Sequence, residues 1–190
     1  MARTGRRPGQ NQTRDDILVA ARNQFAARGY GGATIRSIAA EAGVNPALVH
    51  HFFGSKEQVF AAALNLPFNP AVLVATLLEG SRERIGERVV RMFLGLWSDP
   101  ESRLPFFALV RSVTASPEVA DQLRQFLETA VLAKVAAALG LPALRLTGAA
   151  SQMIGLAMVR YVIKAEPLAS ATEDEVAEMV APVIQHYFDA

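Results

Sequence analysis

Thr34-Ile35-Arg36-Ser37-Ile38-Ala39-Ala40-Glu41-Ala42-Gly43-Val44-Asn45-Pro46-Ala47-Leu48-Val49-His50-His51-Phe52-Phe53-Gly54-Ser55-Lys56 decides the fold, because it reads as two short helices joined by a tight turn. Ile35, Ile38, Ala39 and Ala42 fall at i, i+3, i+4 and i+7, one face of a helix, and Thr34 stands where an N-cap belongs. Gly43 follows the last periodic residue, where a left-handed C-terminal cap favours glycine. Asn45 is a second N-cap, and Pro46 takes the first position of the next helix, where a missing N–H is harmless. On that second helix, steps of about 100° send Leu48, Val49, Phe52 and Phe53 to one side and Pro46, Ala47, His50 and His51 to the other. One side packs and the other is free to meet a partner. Helix pairs with such a turn occur in many all-helical proteins, so periodicity alone leaves both a packing hairpin and a DNA reader open.

Outward from this pair the pattern stays helical. Residues 1–12 carry Arg3, Arg6 and Arg7 among Gly and Pro, a composition expected to form a basic, flexible arm. Thr13 is expected to cap a first helix with Ile17, Ala21 and Phe25 on one face and Gly29 at its end. Ser55 with Gln58 predicts a capping box opening a fourth helix to about Leu64. Lys56 then sits at the positive end of that helix dipole, a local cost that makes sense if a phosphate lies nearby. Leu66-Pro67-Phe68-Asn69-Pro70 is the clearest break, placing a domain boundary between 1–65 and 66–190. Beyond it, helices are predicted at about 70–78, 81–96, 104–113, 117–139, 142–164 and 172–187. No alternating pattern predicts strands, so the fold class is all-α.

A chain of 190 residues with 51% hydrophobic residues can bury a core. Cysteine is absent, which excludes disulfides and cysteine-based metal sites. The three histidines, His50, His51 and His186, have no metal-binding spacing, and no phosphate loop or nucleophile elbow is present; no cofactor, metal or catalytic role is expected. The basic N-terminus precedes no apolar leader, and prolines break the uncharged run 61–78, so a cytoplasmic protein without a membrane span is expected. The net charge of +1 hides an asymmetry: residues 1–60 hold eight Lys and Arg against four Asp and Glu, the remainder eleven against fourteen. A basic N-terminal third suits nucleic acid.

Residues 13–60 resemble the DNA-binding signature of TetR-family transcriptional repressors, through Thr34-Ile35-Arg36-Ser37-Ile38-Ala39, Ala42-Gly43-Val44-Asn45-Pro46-Ala47-Leu48 and Phe53-Gly54-Ser55-Lys56-Glu57. The resemblance implies three N-terminal helices that bind a double-stranded operator, a longer helical domain that binds an inducer and forms a homodimer, and release of DNA by that inducer. Carried onto this chain, it implies that Thr34 and Lys56 hold phosphates and Arg36 reaches a base edge or phosphate. Asn45, Pro46, Ala47, Leu48, His50 and His51 would line the groove. His50 and Phe52 stand where the family commonly has tyrosine; Phe52 cannot reach a phosphate with a hydroxyl, whereas His50 can donate to one, best when protonated.

In the second domain, Arg82, Glu83, Arg84, Glu87, Arg88 and Arg91 read as a solvated face. Val89, Met92, Phe93, Leu96 and Trp97, then Phe106, Phe107 and Val110, repeat at helical spacing, as a packed core does. The alternative is an inducer pocket of Met92, Phe93, Trp97, Phe106 and Phe107 with Arg111 or Gln152 as a polar anchor. The last two helices are expected to dimerise, through small residues at Thr147-Gly148-Ala149-Ala150-Ser151, Gly155 and Ala157 and a stripe of Val176, Met179, Val180, Val183, Ile184 and Tyr187. A helical enzyme or ligand carrier, and a nucleoid protein without sequence preference, are the rival readings; the salt dependence and specificity of DNA binding separate them.

Overall fold

The computed structural model describes residues 8–66, 69–98 and 100–189, and every regular element among them is a helix. The first four are α1 (Pro8–Gly32), α2 (Ile35–Glu41), α3 (Pro46–Phe53) and α4 (Lys56–Ala63). After them come α5 (Pro70–Leu78), a 3-10 turn Arg82–Arg84, α6 (Ile85–Ser98), α7 (Pro100–Ala115), α8 (Pro117–Phe126), a π-helical turn Leu127–Leu132 and α9 (Ala133–Leu139). α10 (Ala143–Ala157) runs into a second π-helical turn, Met158–Ile163, and α11 (Glu173–Phe188) ends the fold. The helix predicted over 117–139 is therefore α8 and α9 with a wide turn between them. α1 begins at Pro8, a residue suited to the first helical position, so the helix takes in part of the expected arm; Arg3, Arg6 and Arg7 lie outside the described residues.

The chain forms two compact units. One comprises the described residues of Met1–Leu66 together with Leu109–Phe126, the other Pro67–Ala108 and Leu127–Ala190. The N-terminal segment of the first unit ends at Leu66, and Leu109–Phe126, placed by sequence in the regulatory part, groups with it. The reason is packing: α8 lies along α1, and Phe126, wholly buried, stacks on Phe60 at 4.6 Å and meets the Tyr30 ring edge-on at 5.3 Å. Ile17, Ala21, Phe25, Ile38, Val49 and Val59 complete this core, each at 0–1% exposure.

The second unit is organised around α6 and α11. Ile85, Val90 and Leu94 of α6 and Val176, Ala177 and Ile184 of α11 bury together with Leu146, Ala149 and Met153 of α10. Gly86 permits the approach: a β-carbon there would overlap the Ala181 carbonyl and come within 2.6 Å of the Gln185 nitrogen, both backbone of α11. Gly86→Ala must push two main chains apart and is expected to lower stability by about 1–3 kcal/mol in a thermal melt. Arg82 and Arg88, read from sequence as solvated, turn inward at one end of this unit. Arg82 donates to the carbonyls of Phe188 and Leu139, the ends of α11 and α9, and Arg88 to those of Thr76 and Ser81.

The stripe assigned to dimerisation divides. Val176 and Ile184 are fully buried in the unit's own core, whereas Met179 and Val183 remain 57% and 53% exposed. Gly148 faces its own chain, since a β-carbon there would come within 2.6 Å of the Tyr187 ring, while one at Gly155 would meet nothing. Ala143–Ile163 is, among the described residues, a helix long and apolar enough to cross a membrane by length and composition. Arg145 lies in its first turn and Arg160 near its end.

Candidate nucleic-acid interface

The N-terminal unit presents three helix starts, each fixed by a local cap. Thr34 and Ser37 form a reciprocal capping box on α2: the Ser37 N–H donates to the Thr34 hydroxyl and the Thr34 N–H to the Ser37 hydroxyl, both at 3.0 Å. Because the Thr34 oxygen accepts there, its own O–H is left to donate outward. Asn45 accepts from the Ala47 N–H at 2.8 Å, with Pro46 behind it. Ser55 accepts from the Gln58 N–H at 3.3 Å and opens α4 at Lys56. Gly43 and Gly54, with φ of 66° and 78°, make the two bends between these helices, in a region that favours glycine.

α3 has two unlike faces. Val49 and Phe53 are buried, Pro46 and Phe52 half-buried, and Asn45, Ala47, Leu48, His50 and His51 exposed. Leu48, assigned by periodicity to the packing side, is 40% exposed, so the groove role implied by resemblance is the one its position permits. The outward face thus offers small apolar groups near the start of the helix and two imidazoles further along, chemistry that suits thymine methyls and base edges or phosphates. The Nδ1 of His50 lies 2.8 Å from the Gly54 carbonyl. As a carbonyl only accepts, this nitrogen carries the proton in that contact.

Around α3, Thr34 and Arg36 are exposed. Lys56 is less free than expected, its ammonium lying 4.5 Å above the Tyr30 ring; desolvation lowers its pKa, and the neighbouring Glu57 carboxylate partly offsets that. Arg14 of α1 lies over the Phe53 ring at 5.1 Å and joins the set as a cation that sequence reasoning passed over. It reaches α3 only through this tertiary contact, which no local pattern in the sequence shows. Glu41 accepts from Asn23 at 2.8 Å and Gln24 at 2.6 Å, and those bonds hold its carboxyl below the usual range.

The second unit brings together some of the proposed pocket residues. Trp97 stacks on Tyr161 at 5.0 Å, nearly parallel, with Phe106 edge-on at 4.3 Å and Phe93 and Phe107 at 5.7 and 6.0 Å. Met92 is not among the residues packed on this cluster. Gln152 and Arg111 are exposed, and Arg111 belongs to the other unit. Two cations face the Tyr161 ring: Arg103, 4.7 Å from its centre, with Nε donating to the Trp97 carbonyl, and Arg160 at 5.4 Å. Arg160, almost fully buried, donates to the Leu168 and Ala171 carbonyls and so fastens the turn before α11.

A capped helix-turn-helix with an exposed second helix, in a chain whose described residues form only helices, has the architecture of the helix-turn-helix regulators. Comparison with known proteins gives the family. Residues 17–63 match the family described as bacterial regulatory proteins, tetR family, and residues 83–188 match the tetracyclin repressor-like C-terminal domain. The chain belongs to the TetR family of transcriptional regulators. A TetR-family regulator from Streptomyces coelicolor is 39% identical, with 97% of this chain and 98% of that one covered and a TM-score of 0.52. The transcriptional repressor AcnR of Corynebacterium efficiens is 33% identical over 98 residues, 52% of this chain and 46% of its own length. The regulator BetI of Rhizobium meliloti is 32% identical over 116 residues, 58% and 57% of the two chains. The chain thus spans about half the length of these curated relatives.

Proposed function

We propose that this regulator is a cytoplasmic, ligand-released repressor that binds an inverted-repeat operator as a homodimer and has no enzymatic activity. The observation that carries the DNA reading is α3, whose exposed face of Ala47, Leu48, His50 and His51 is flanked by the capped starts of α2 and α4. Such a helix fits a major groove while its neighbours hold the backbone. Thr34 and Lys56 serve as phosphate contacts and Arg36 as a base or phosphate contact; the DNA-binding part comprises residues 1–65 joined by α8.

The dimer reading draws on exposed apolar residues of α10, the π-helical turn that continues it and α11, namely Leu144, Ile154, Val162, Met179 and Val183, and on the open space at Gly155. A second copy of the same two helices would bury them in a four-helix contact about a two-fold axis. The inducer reading draws on the Trp97 cluster, which favours a flat apolar ligand, with Arg103 in the place first given to Arg111 or Gln152. Selection of bound duplexes from a random pool tests the core of the proposal. An enriched inverted repeat with half-sites about one helical turn or somewhat more apart is expected; recovery of no preferred sequence would overturn it.

Arg36→Ala and Lys56→Ala are expected to differ in kind. Loss of a phosphate contact at Lys56 weakens all sequences alike and lowers the salt slope by about one unit. If Arg36 reads a base, its loss costs about 1–3 kcal/mol and relaxes one operator position. Titrations against operator and scrambled duplexes at several salt concentrations distinguish them, and equal, sequence-independent losses would remove the base-reading role.

A further inference from the structure

Lys56 opens α4, where the helix dipole repels a cation, and its ammonium is half-withdrawn from water onto the face of Tyr30. That face is negative, and a separation of 4.5 Å lies within the about 6 Å over which a ring attracts a cation. The ring is itself immobilised. Phe60 meets it edge-on at 5.0 Å, Phe126 edge-on at 5.3 Å, and Phe25 lies stacked at 6.0 Å. Burial, with the Glu57 charge second, raises the Tyr30 pKa, so the phenol stays neutral and its hold on the lysine is that of a ring face, not of an ion pair.

We propose that Tyr30 is a positioning residue for DNA binding: its ring face fixes the Lys56 side chain at the start of α4 in the place where it meets a backbone phosphate. The proposal rests on the DNA-binding reading above and adds to it a residue that touches no DNA. A free lysine must be ordered on binding, at a cost that a side chain already held avoids. Since Phe126 of α8 is one wall of the Tyr30 site, the phosphate contact also depends on where the end of α8 lies.

Replacement of Tyr30 by phenylalanine, and then by phenylalanines carrying successive ring fluorines, keeps the shape while draining the charge from the ring face. Each protein is titrated with a mixed-sequence duplex of about 30 base pairs at several salt concentrations, with and without Lys56→Ala. Tyr30→Phe is expected to bind as the parent does. Full fluorination is expected to weaken binding by about 2- to 10-fold, the cost of ordering one long side chain, and to have no effect in the Lys56→Ala background. Lys56→Ala alone is expected to lower the salt slope by about 0.9 unit. A loss of equal size in both backgrounds would make Tyr30 merely structural and overturn the proposal, as would unchanged affinity on fluorination. An undiminished slope for Lys56→Ala would overturn it while leaving DNA binding intact. Absence of salt-dependent duplex binding by the parent protein would overturn the DNA-binding reading itself.

Discussion

Glutamates in place of Ile154 and Val183 are expected to convert a dimer to monomers at micromolar concentration and to weaken operator binding by about a hundredfold or more. Both side chains are about half exposed, at 50% and 53%, so in an isolated chain their replacement costs within about 0.5 kcal/mol. In a two-fold contact each substitution occurs twice and buries four carboxylates against apolar groups without partners. Two tethered recognition helices gain about 10²–10⁴ over one by effective concentration, and monomers forfeit that gain. Light scattering, a thermal melt at low concentration and a duplex titration would be read together. A double variant that remained dimeric and bound operator normally would place the interface elsewhere. The pair Val180 and Ile184 from the same stripe makes a poor test, because Ile184 is fully buried within its own chain and a glutamate there is expected to unfold the unit.

Phe126→Ala is expected to cost about 3–5 kcal/mol, the range for deleting a fully buried aromatic ring, and to cost it in the N-terminal unit. The ring is at 0% exposure and contacts both Phe60 and Tyr30, so its removal leaves a hole at the centre of that core. Trp97, the single tryptophan, belongs to the other unit. Its fluorescence should therefore stay native-like over the temperatures at which amide exchange in α1 and α4 first accelerates. A simultaneous loss of both signals, or a change of less than about 1 kcal/mol, would contradict the account of this core. Phe52→Ala, at a half-buried site on α3, serves as the mild control.

Local signals carried most of the N-terminal unit. The caps at Thr34, Asn45 and Ser55, the glycine bend at Gly43, and the burial of Val49 and Phe53 are properties of neighbours in sequence, and each was legible. Packing partners were not. The apolar face of α8 has the same period whichever helix receives it, so nothing local assigns Phe126 to the core of Phe60 and Tyr30. The same ambiguity spread over α11, where one stripe held both Ile184, turned to its own core, and Val183, turned away. Arg111 and Gln152 are polar residues near an aromatic run in sequence, yet the cations over Tyr161 are Arg103 and Arg160, and a guanidinium that reaches back from another turn leaves no periodic mark. The wide turns at Leu127–Leu132 and Met158–Ile163 were invisible because residue preferences hardly differ between an α and a π turn.

Those wide turns bear on how the length of the chain can change. A π turn holds one residue more than an α turn, so an added residue is absorbed on the spot and the flanking turns keep their orientation. Removing Glu128 or Thr129 would tighten the turn and leave Val135 facing inward, whereas removing one residue from α6 would swing everything after it by about 100° and carry Leu94 and Trp97 out of their packing. Single-residue gaps between this chain and its relatives are therefore to be sought inside the helix at 127–132, a place where alignments normally forbid them.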